Sequence, residues 1–223
     1  MQRLLETVSL CENVTSIIIS NNNPKVNIHD WVKTKDERVL LINQERQKGS
    51  GVRWAVANKQ SSKYYIAIDD DVFMKPNQLH SLFNELKNEP DRPHGLFGSI
   101  YNNPNSYSED NRLYQKQNNI GVDVLHQVYA VTDVHVARYI KLFDYILSNA
   151  LDIAKTIEAF ADDILLSRCG QNKPTIHDVG EVEECETYCS DNIALCKRPD
   201  FNARREVVLN YVYNLLKEEL WII

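Results

Sequence analysis

The sequence predicts an α/β protein built on a parallel, doubly wound sheet. Short apolar runs alternate with helical patterns along the first hundred residues, which is the order typical of such sheets. One run, Tyr64–Ile68, stops abruptly at Asp69, Asp70 and Asp71, and a helix is predicted to start near Pro76. Ligands of open α/β sheets bind outside the carboxyl ends of the strands. The three acids therefore mark the predicted functional site.

Size and charge set limits on the class of protein. The chain has 223 residues, 43% of them hydrophobic, and a formal net charge of −6. This length fits one large domain or two small ones. The negative charge argues against a general nucleic-acid surface. No apolar run reaches the roughly 18 residues that span a bilayer, and no signal peptide is recognised, so we expect a cytoplasmic protein.

The first half is predicted from apolar spacing and from breaks at polar residues. Leu4, Leu5, Val8 and Leu10 have helical spacing, which predicts the back half of a helix over residues 1–13. Runs of β-branched residues predict buried strands at 15–20 and 38–43. Glycines at 48–51 predict a turn, and a helix follows at 52–60. The acidic strand is predicted to be buried on both faces because it is wholly apolar.

The second half has a different character. Apolar runs predict strands at 95–101, 122–131 and 174–179, and helical spacing predicts helices at 134–147, 157–169 and 204–220. Residues 102–119 are polar and predict a long loop or lid. Asp162 and Asp163 lie at the start of the apolar part of a helix.

Four motifs in this order resemble a GT-A-fold glycosyltransferase of the family 2 and exostosin-like (family 64) kind. They are the strand and asparagines IIISNNN, the helix start GVRW, the acidic segment IAIDDDVFMKP, which is similar to a DxD motif, and ADDI, which is similar to a Glu-Asp-Ile motif with Asp162 in place of Glu. The resemblance covers nearly the whole chain and implies one GT-A-like domain over residues 1–223, with a nucleotide-binding half at 1–100 and an acceptor-binding half at 101–223. It implies a Rossmann-like GT-A sheet flanked by helices, and an N-terminal truncation, since Met1 lies inside the family's first helix.

The resemblance also implies a chemistry and a role for each residue. The protein would be a metal-dependent transferase of hexosyl or N-acetylhexosaminyl groups, from a nucleotide-sugar donor such as a UDP-sugar to a glycan or other hydroxyl acceptor. Asp71 would bind Mn²⁺ or Mg²⁺, and Asp69 and Asp70 would contact the ribose or sugar of the donor. Arg53 would meet the diphosphate, since its guanidinium fork suits phosphate oxygens. Asp163 would be the catalytic carboxylate.

The asparagines and histidines have more than one interpretation. Asn21 and Asn22 would face the base or ribose of the donor, or would only form a turn. His126 lines the acceptor pocket or is a core histidine, and His177 is a metal or phosphate ligand or a hydrogen-bonded structural residue. Asp162 is expected to matter less for turnover than Asp163 if its main role is to cap the helix.

Other functions stay open from the sequence alone. The domain could be a catalytically inactive GT-A-like binding or scaffold module, or a phosphatase that uses the acids after the strand. The cysteines Cys185, Cys189 and Cys196 raise a zinc site as a further alternative. The apolar residues Trp221, Ile222 and Ile223 allow a peripheral membrane contact.

Overall fold

A computed structural model describes residues 1–101, 112–113, 118–185 and 195–217 and has the predicted α/β architecture. The helices are α1 (Gln2–Ser9), α2 (Ile28–Trp31), α3 (Val52–Ala57), α4 (Pro76–Asn88), α5 (Asp133–Asn149), α6 (Leu151–Thr156), α7 (Asp162–Leu166) and α8 (Phe201–Lys217). The strands are β1 (Ile17–Asn21), β2 (Val39–Asn43), β3 (Tyr64–Ile68), β4 (Val72–Phe73), β5 (His94–Ser99), β6 (Arg112–Leu113), β7 (Ile120–Gly121), β8 (Val124–Thr132), β9 (Thr175–Ile176) and β10 (Glu183–Glu184).

In the part of the chain that the structure describes, the main sheet has six strands and is mixed rather than parallel. Its order is β3-β8-β5-β9-β7, and β6 pairs with β5. The long strand β8 runs antiparallel between β3 and β5, while β5 and β9 are parallel. The parallel pairing predicted for the first half is present in β1–β2 but not at β3. The cause is β8, which enters the sheet between β3 and β5, two strands that precede it in the chain.

The strands β1 and β2 form a separate parallel pair, from Ile17 opposite Val39 to Asn21 opposite Asn43. A small core of Leu5, Ile19 and Val32 packs under this pair, with α1 and α2 contributing. Among the described residues, β1 pairs only with β2 and β3 only with β8. The first three predicted strands are thus present, but they do not belong to one continuous ladder.

Two larger cores lie on opposite faces of the main sheet. Strand β3 divides its side chains between them: Tyr65 and Ala67 pack against the core formed with α5, α7 and α8, and Tyr64, Ile66 and Ile68 pack against the core formed with α4. Every residue of β3 is only half-buried, so the prediction of full burial is wrong. Its alternating contacts still fix its position, and so the position of the acids that follow it.

The predicted helix at 157–169 is divided. A π-helical turn over Ile157–Ala161 follows α6, the backbone leaves helical geometry at Phe160 (φ −168°, ψ 20°), and α7 then begins at Asp162. Because of this break, Asp162 and Asp163 occupy the first turn of a short, fully buried helix. The prediction that the two acids open an apolar helix is confirmed.

Some predictions fall outside the described residues. These are most of the 102–119 loop, Cys189 and the apolar end at 221–223. The division into two halves stays a prediction, since the main sheet takes strands from both. Within the described ranges, no helix is both long and apolar enough to cross a bilayer.

Candidate functional site

The three acids lie where β3 leaves the sheet. The Asp69 amide donates to the Gln127 carbonyl (2.8 Å), which extends the β3–β8 ladder by one residue, and the Val72 amide then donates to the Asp69 carbonyl (3.2 Å). Asp70 is exposed, whereas Asp69 and Asp71 are half-buried. The carboxylates thus sit in a tight turn at the strand end, as predicted.

Burial changes the protonation of two of these acids. Desolvation raises the pKa of Asp69 to about 6, although its ion pair with Arg53 opposes the change. The pKa of Asp71 is also raised, first by burial and then by the charge of Asp70. Carboxylates crowded in this way gain from a nearby cation.

Arg53 joins this cluster to a second pair of acids. It comes from α3, and its guanidinium contacts Asp69 (Nη1 to Oδ1, 2.5 Å) and Asp162 (Nε to Oδ2, 3.4 Å). It also lies over the ring of Tyr129, 5.3 Å from the centroid. Arg53 is therefore no surface helix residue: with 23% of its side chain exposed, it bridges two acidic clusters.

Asp162 ties α7 to the loop before α3. Its carboxylate accepts hydrogen bonds from the Ser50 hydroxyl and from Trp54 Nε1 (2.8 Å for the indole). Asp162 does not cap α7, because Ala161 is the residue at the cap position and no side chain makes a capping hydrogen bond there. Burial raises the pKa of Asp162, and Arg53 acts against this change.

Asp163 is held by a buried arginine from the last described helix. Arg205 of α8 donates two hydrogen bonds to the carboxylate of Asp163 (2.8 and 2.6 Å) and one to the Phe160 carbonyl (2.6 Å). Burial alone would raise the pKa of Asp163, but Arg205 and the hydrogen bond from His126 outweigh it and hold the pKa well below its ordinary value. Asp163 is therefore a fixed carboxylate and a weak base.

His126 lies beside Asp163, with its ring between a carboxylate and a hydroxyl. Nδ1 is 3.2 Å from Asp163 Oδ2, and Nε2 is 2.7 Å from Ser99 Oγ. An ionised carboxylate can only accept, so Nδ1 carries a proton, and in the neutral imidazole Nε2 accepts from the Ser99 hydroxyl. The half-buried His126 is thus part of the polar network around Asp163 rather than of an apolar core.

The asparagines after β1 build a turn. The side-chain amide of Asn21 is within hydrogen-bond distance of the Asn23 carbonyl (3.0 Å), the Val26 carbonyl (2.5 Å) and Asn43 Oδ1 (3.0 Å). The side-chain oxygen of Asn22 accepts from the Ser20 hydroxyl (3.2 Å). These contacts fit the turn-forming interpretation of Asn21. A cavity of about 660 Å³ lies next to this turn and is lined by Asn43, Gln44, Glu45, Arg46 and Lys48.

His177 lies away from the acids, and its contacts fit the structural interpretation. Its Nε2 is 2.8 Å from His94 Nδ1, and His94 Nε2 is 2.8 Å from the Glu89 carbonyl. A carbonyl only accepts, so in neutral rings His94 donates to Glu89 and His177 donates to His94. This leaves the lone pair of His177 Nδ1 towards the Glu85 carboxylate, at 3.9 Å.

The residues at the strand end fit a hard divalent cation. Mg²⁺ and similar ions are bound by one or two carboxylates together with substrate phosphates rather than by a full protein cage, and Asp69 and Asp71 offer such oxygens. Within the described ranges, no group of three or more His, Cys, Asp or Glu side chains forms a metal site. A preformed zinc site of the cysteine type is therefore not seen in that part of the chain.

Several residues that complete the site could not be recognised from sequence patterns. Ser50, Ser99, Gln127 and Tyr129 are uncharged or sit inside strand and turn patterns. Arg205 could have been found, because it precedes Val208 and Val212 by three and seven residues and so shares the apolar face of α8. A charged residue on such a face predicts a buried ionic partner.

Comparisons with solved structures agree with the fold. The chain is similar to 81 chains of solved structures, among them a crystal structure of GalNAc-T7 with UDP, GalNAc and Mn²⁺. That match has a TM-score of 0.57 and 11% sequence identity, and it covers 98% of this chain but only 48% of the other, so the chain spans about half the length of that protein. The match supports the GT-A fold.

No curated protein sequence matches the chain. Residues 2–143, however, match the sequence profile of Glycosyl transferase family 2, which is more than half of the chain. The chain therefore belongs to glycosyl transferase family 2.

Proposed function

We propose that the protein is a metal-dependent glycosyltransferase that moves a hexosyl or N-acetylhexosaminyl group from a UDP-sugar to a hydroxyl acceptor. The observation that carries this proposal is the bridge made by Arg53 between Asp69 at the end of β3 and Asp162 at the start of α7. It brings together two acidic clusters that are far apart in sequence. One cluster suits the leaving diphosphate, and the other suits the reacting sugar and its acceptor.

Asp71 is the proposed ligand of Mn²⁺ or Mg²⁺, with Asp69 beside it. The raised pKa values of both carboxylates support this role, because a bound cation would relieve their crowding. A divalent ion supplies charge neutralisation for a departing diphosphate. The GalNAc-T7 structure, solved with UDP and Mn²⁺, supports the choice of nucleotide and metal.

Arg53 is proposed to share its guanidinium between Asp69 and the donor diphosphate. The guanidinium has several N–H donors, and a metal ion coordinated by Asp69 would weaken the ion pair between Asp69 and Arg53. Asp70 is exposed at the same strand end and is proposed to contact the ribose or sugar. Asn21 and Asn22 are proposed to shape the nucleoside side of the site through their turn.

Asp163 is proposed to act as a carboxylate that stays ionised, and His126 lies beside it. A low pKa makes Asp163 a poor proton acceptor, but the charge can orient an acceptor hydroxyl and stabilise positive charge that develops on the sugar. This favours the orienting and charge-stabilising role over that of a general base.

The alternative is a binding or scaffold module without catalysis. One observation favours it: in this structure both Arg53 and Asp163 are already paired with protein groups of opposite charge. Such pairs also occur where a charge serves only the fold. A scaffold would not bind UDP in a metal-dependent way.

The test is calorimetric titration of the full chain with UDP, in MnCl₂ and in EDTA. We expect binding only with Mn²⁺, and we expect Asp71→Asn to abolish it while the circular dichroism spectrum stays unchanged, because Asp71 lies at a strand end. Asp152→Asn is the matched control, since that side chain is fully exposed on α6. Unchanged Mn²⁺-dependent binding in Asp71→Asn would contradict the metal assignment, and no binding by the unmodified chain would favour the scaffold.

A further inference from the structure

Strand β8 contains a bulge next to the candidate site. Gln127 has a positive φ of 59°, and among the described residues only Asn119 (φ 57°) shares this among non-glycines. The pairing of β8 with β5 shifts at the same place: Gly95 pairs with Tyr129 and Phe97 with His126. Two residues of β8, Gln127 and Val128, therefore stand opposite the single residue Leu96 of β5, which is the pattern of a β-bulge.

The bulge determines which face of the sheet two side chains occupy. His126 and Tyr129 are three positions apart, so in a regular strand they would point to opposite faces. In this structure, Tyr129 packs edge-on against Trp54 of α3, with centroids 5.7 Å apart, and His126 reaches Asp163 of α7. The extra residue puts both side chains on the face where the second acidic cluster lies.

Gln127 itself contacts the first acidic cluster. Its backbone carbonyl accepts a hydrogen bond from the backbone N–H of Asp69 (2.8 Å), and its own backbone N–H donates to the Tyr129 hydroxyl (3.0 Å). Its side-chain Nε2 lies 3.5 Å from Asp71 Oδ1, and the residue is only 7% exposed. Gln127 thus contacts Asp69 and Asp71 at the end of β3, and its backbone conformation sets the direction of the His126 side chain.

We propose that Gln127 is a positioning residue that couples the two acidic clusters. Its left-handed backbone directs His126 to Asp163, and its side-chain amide orients the Asp71 carboxylate towards a divalent cation. The second part rests on the proposed function, while the first part does not. Glycine adopts this backbone without steric cost, so the side chain is what glutamine adds at this position. Strained residues of this kind cluster at functional sites.

Two substitutions separate backbone from side chain. Gln127→Gly keeps the left-handed backbone conformation and removes the side-chain amide. Gln127→Val disfavours that backbone conformation, because β-branched residues rarely adopt it. Asn119→Gly is the matched control, since it removes a side chain from the other left-handed position. The measurements on the full chain are thermal unfolding, UDP affinity in MnCl₂, and the ¹⁵N chemical shifts of the His126 imidazole.

In Gln127→Gly, we expect an unchanged or higher melting temperature, native His126 shifts, and UDP affinity in MnCl₂ lowered by at least about 10-fold, the usual effect of losing an outer-shell partner of a metal ligand. In Gln127→Val, the His126 shifts should change and the affinity should fall as well. Asn119→Gly should bind UDP like the unmodified chain.

Native affinity in Gln127→Gly would overturn the role of the amide, and native His126 shifts in a folded Gln127→Val would overturn the role of the backbone. If the unmodified chain shows no Mn²⁺-dependent UDP binding, the proposed function fails instead. The imidazole shifts still decide whether Gln127 positions His126.

Discussion

Asp162 and Asp163 are neighbours in the chain, yet the pKa values of their carboxylates shift in opposite directions. Burial raises the pKa of Asp162, and Arg53 and the hydrogen bonds from Ser50 and Trp54 only partly oppose this change. Asp163 is equally buried, but the bidentate contact with Arg205 holds its pKa low. Residue type and burial therefore do not decide the direction of the shift. The arginine contributed by a distant helix decides it.

The Asp163–Arg205 pair predicts a double effect of Asp163→Asn. Removing one partner of a buried ion pair leaves an uncompensated charge, so the free energy of unfolding should fall by about 3–5 kcal/mol. If a sugar is transferred, turnover should fall by about 10²–10³-fold while UDP affinity stays within a few-fold, because the lost charge acts on the reacting sugar. Urea unfolding and transfer rates with a suitable acceptor measure the two effects.

Arg205→Gln combined with Asp163→Asn is the control for this prediction. The double variant removes both charges and should recover part of the lost stability without recovering turnover. Full turnover in a folded Asp163→Asn protein would move the catalytic role to another residue.

Arg53 leads to a prediction about which part of a nucleotide is recognised. Arg53→Ala should weaken binding of UDP in MnCl₂ more than binding of uridine, because only UDP offers phosphate oxygens to the guanidinium. Arg53→Lys should restore part of the UDP affinity, since lysine keeps the charge but lacks the fork. Calorimetry with both ligands makes the comparison, and an equal loss for UDP and uridine would contradict phosphate recognition.

At the scale of elements, the loop before α3 is fitted closely to the π-helical turn. A side chain at Gly49 would overlap with the Glu158 carbonyl and the Ala159 Cα. The Gly51 amide also donates to the Glu158 carbonyl (3.1 Å). This close approach of two backbones is what places Ser50 and Arg53 against Asp162.

Gly49→Ala should therefore separate the loop from the π-helical turn. Overpacking of this kind costs about 1–3 kcal/mol of stability, and we expect UDP affinity in MnCl₂ to fall too, because Arg53 loses its position. Gly121→Ala is the control, since nothing lies within 4 Å of a side chain added there. Thermal unfolding and calorimetry test both variants. Equal behaviour of the two would show that the loop can move away without consequence.

The sequence predicted elements well where one local pattern decided them. Strand β3 lies where the apolar run predicted it, and α5, at Asp133–Asn149, differs by one or two residues at each end. The π-helical turn and the bulge at Gln127 were not predicted. Both depend on contacts with distant segments, Gly49 and Gly51 for the turn and β5 for the bulge, and local propensity does not report such contacts.

At the scale of the whole molecule, sheet order and ionic pairing were the least predictable features. The direction of β8 between β3 and β5 follows from chain topology rather than from composition. The acids Asp69, Asp71 and Asp163 could be singled out because carboxylates after a strand or at a helix start stand out from an apolar context. The ion pair of Arg53 with two acidic clusters could not be assigned, since an arginine in a helix is most often exposed, whereas the place of Arg205 on the apolar face of α8 points to burial but not to Asp163 as its partner.

Buried histidines predict how stability of the whole fold depends on pH. Burial, with smaller effects of His94 and Arg92, lowers the pKa of His177 from 6.5 to about 4. Between these values the unfolded chain binds a proton that the folded chain does not, so stability is fully present above pH 6.5 and is lost as the pH falls towards 4. The acid side of the stability curve should therefore be steep.

His177→Asn should reduce that slope by up to about 1.4 kcal/mol per pH unit, the value for one proton. Urea unfolding at several pH values between 4 and 7 measures it, and His80→Asn, on the exposed side of α4, is the control. An unchanged slope in His177→Asn would mean that other groups, among them His135 with its pKa lowered to about 4, carry the effect.

The contact between Arg205 and Asp163 also has a consequence for the time at which the site forms. Ser50 and Asp162 are separated by 112 residues, and Arg205 follows Asp163 by another 42. During synthesis on the ribosome, β3 and its acids emerge long before the residue that neutralises Asp163. A nascent chain that stops short of α8 would carry the Asp163 carboxylate without its arginine partner. We infer that the part of the candidate site around Asp163 is completed after the part around Asp69.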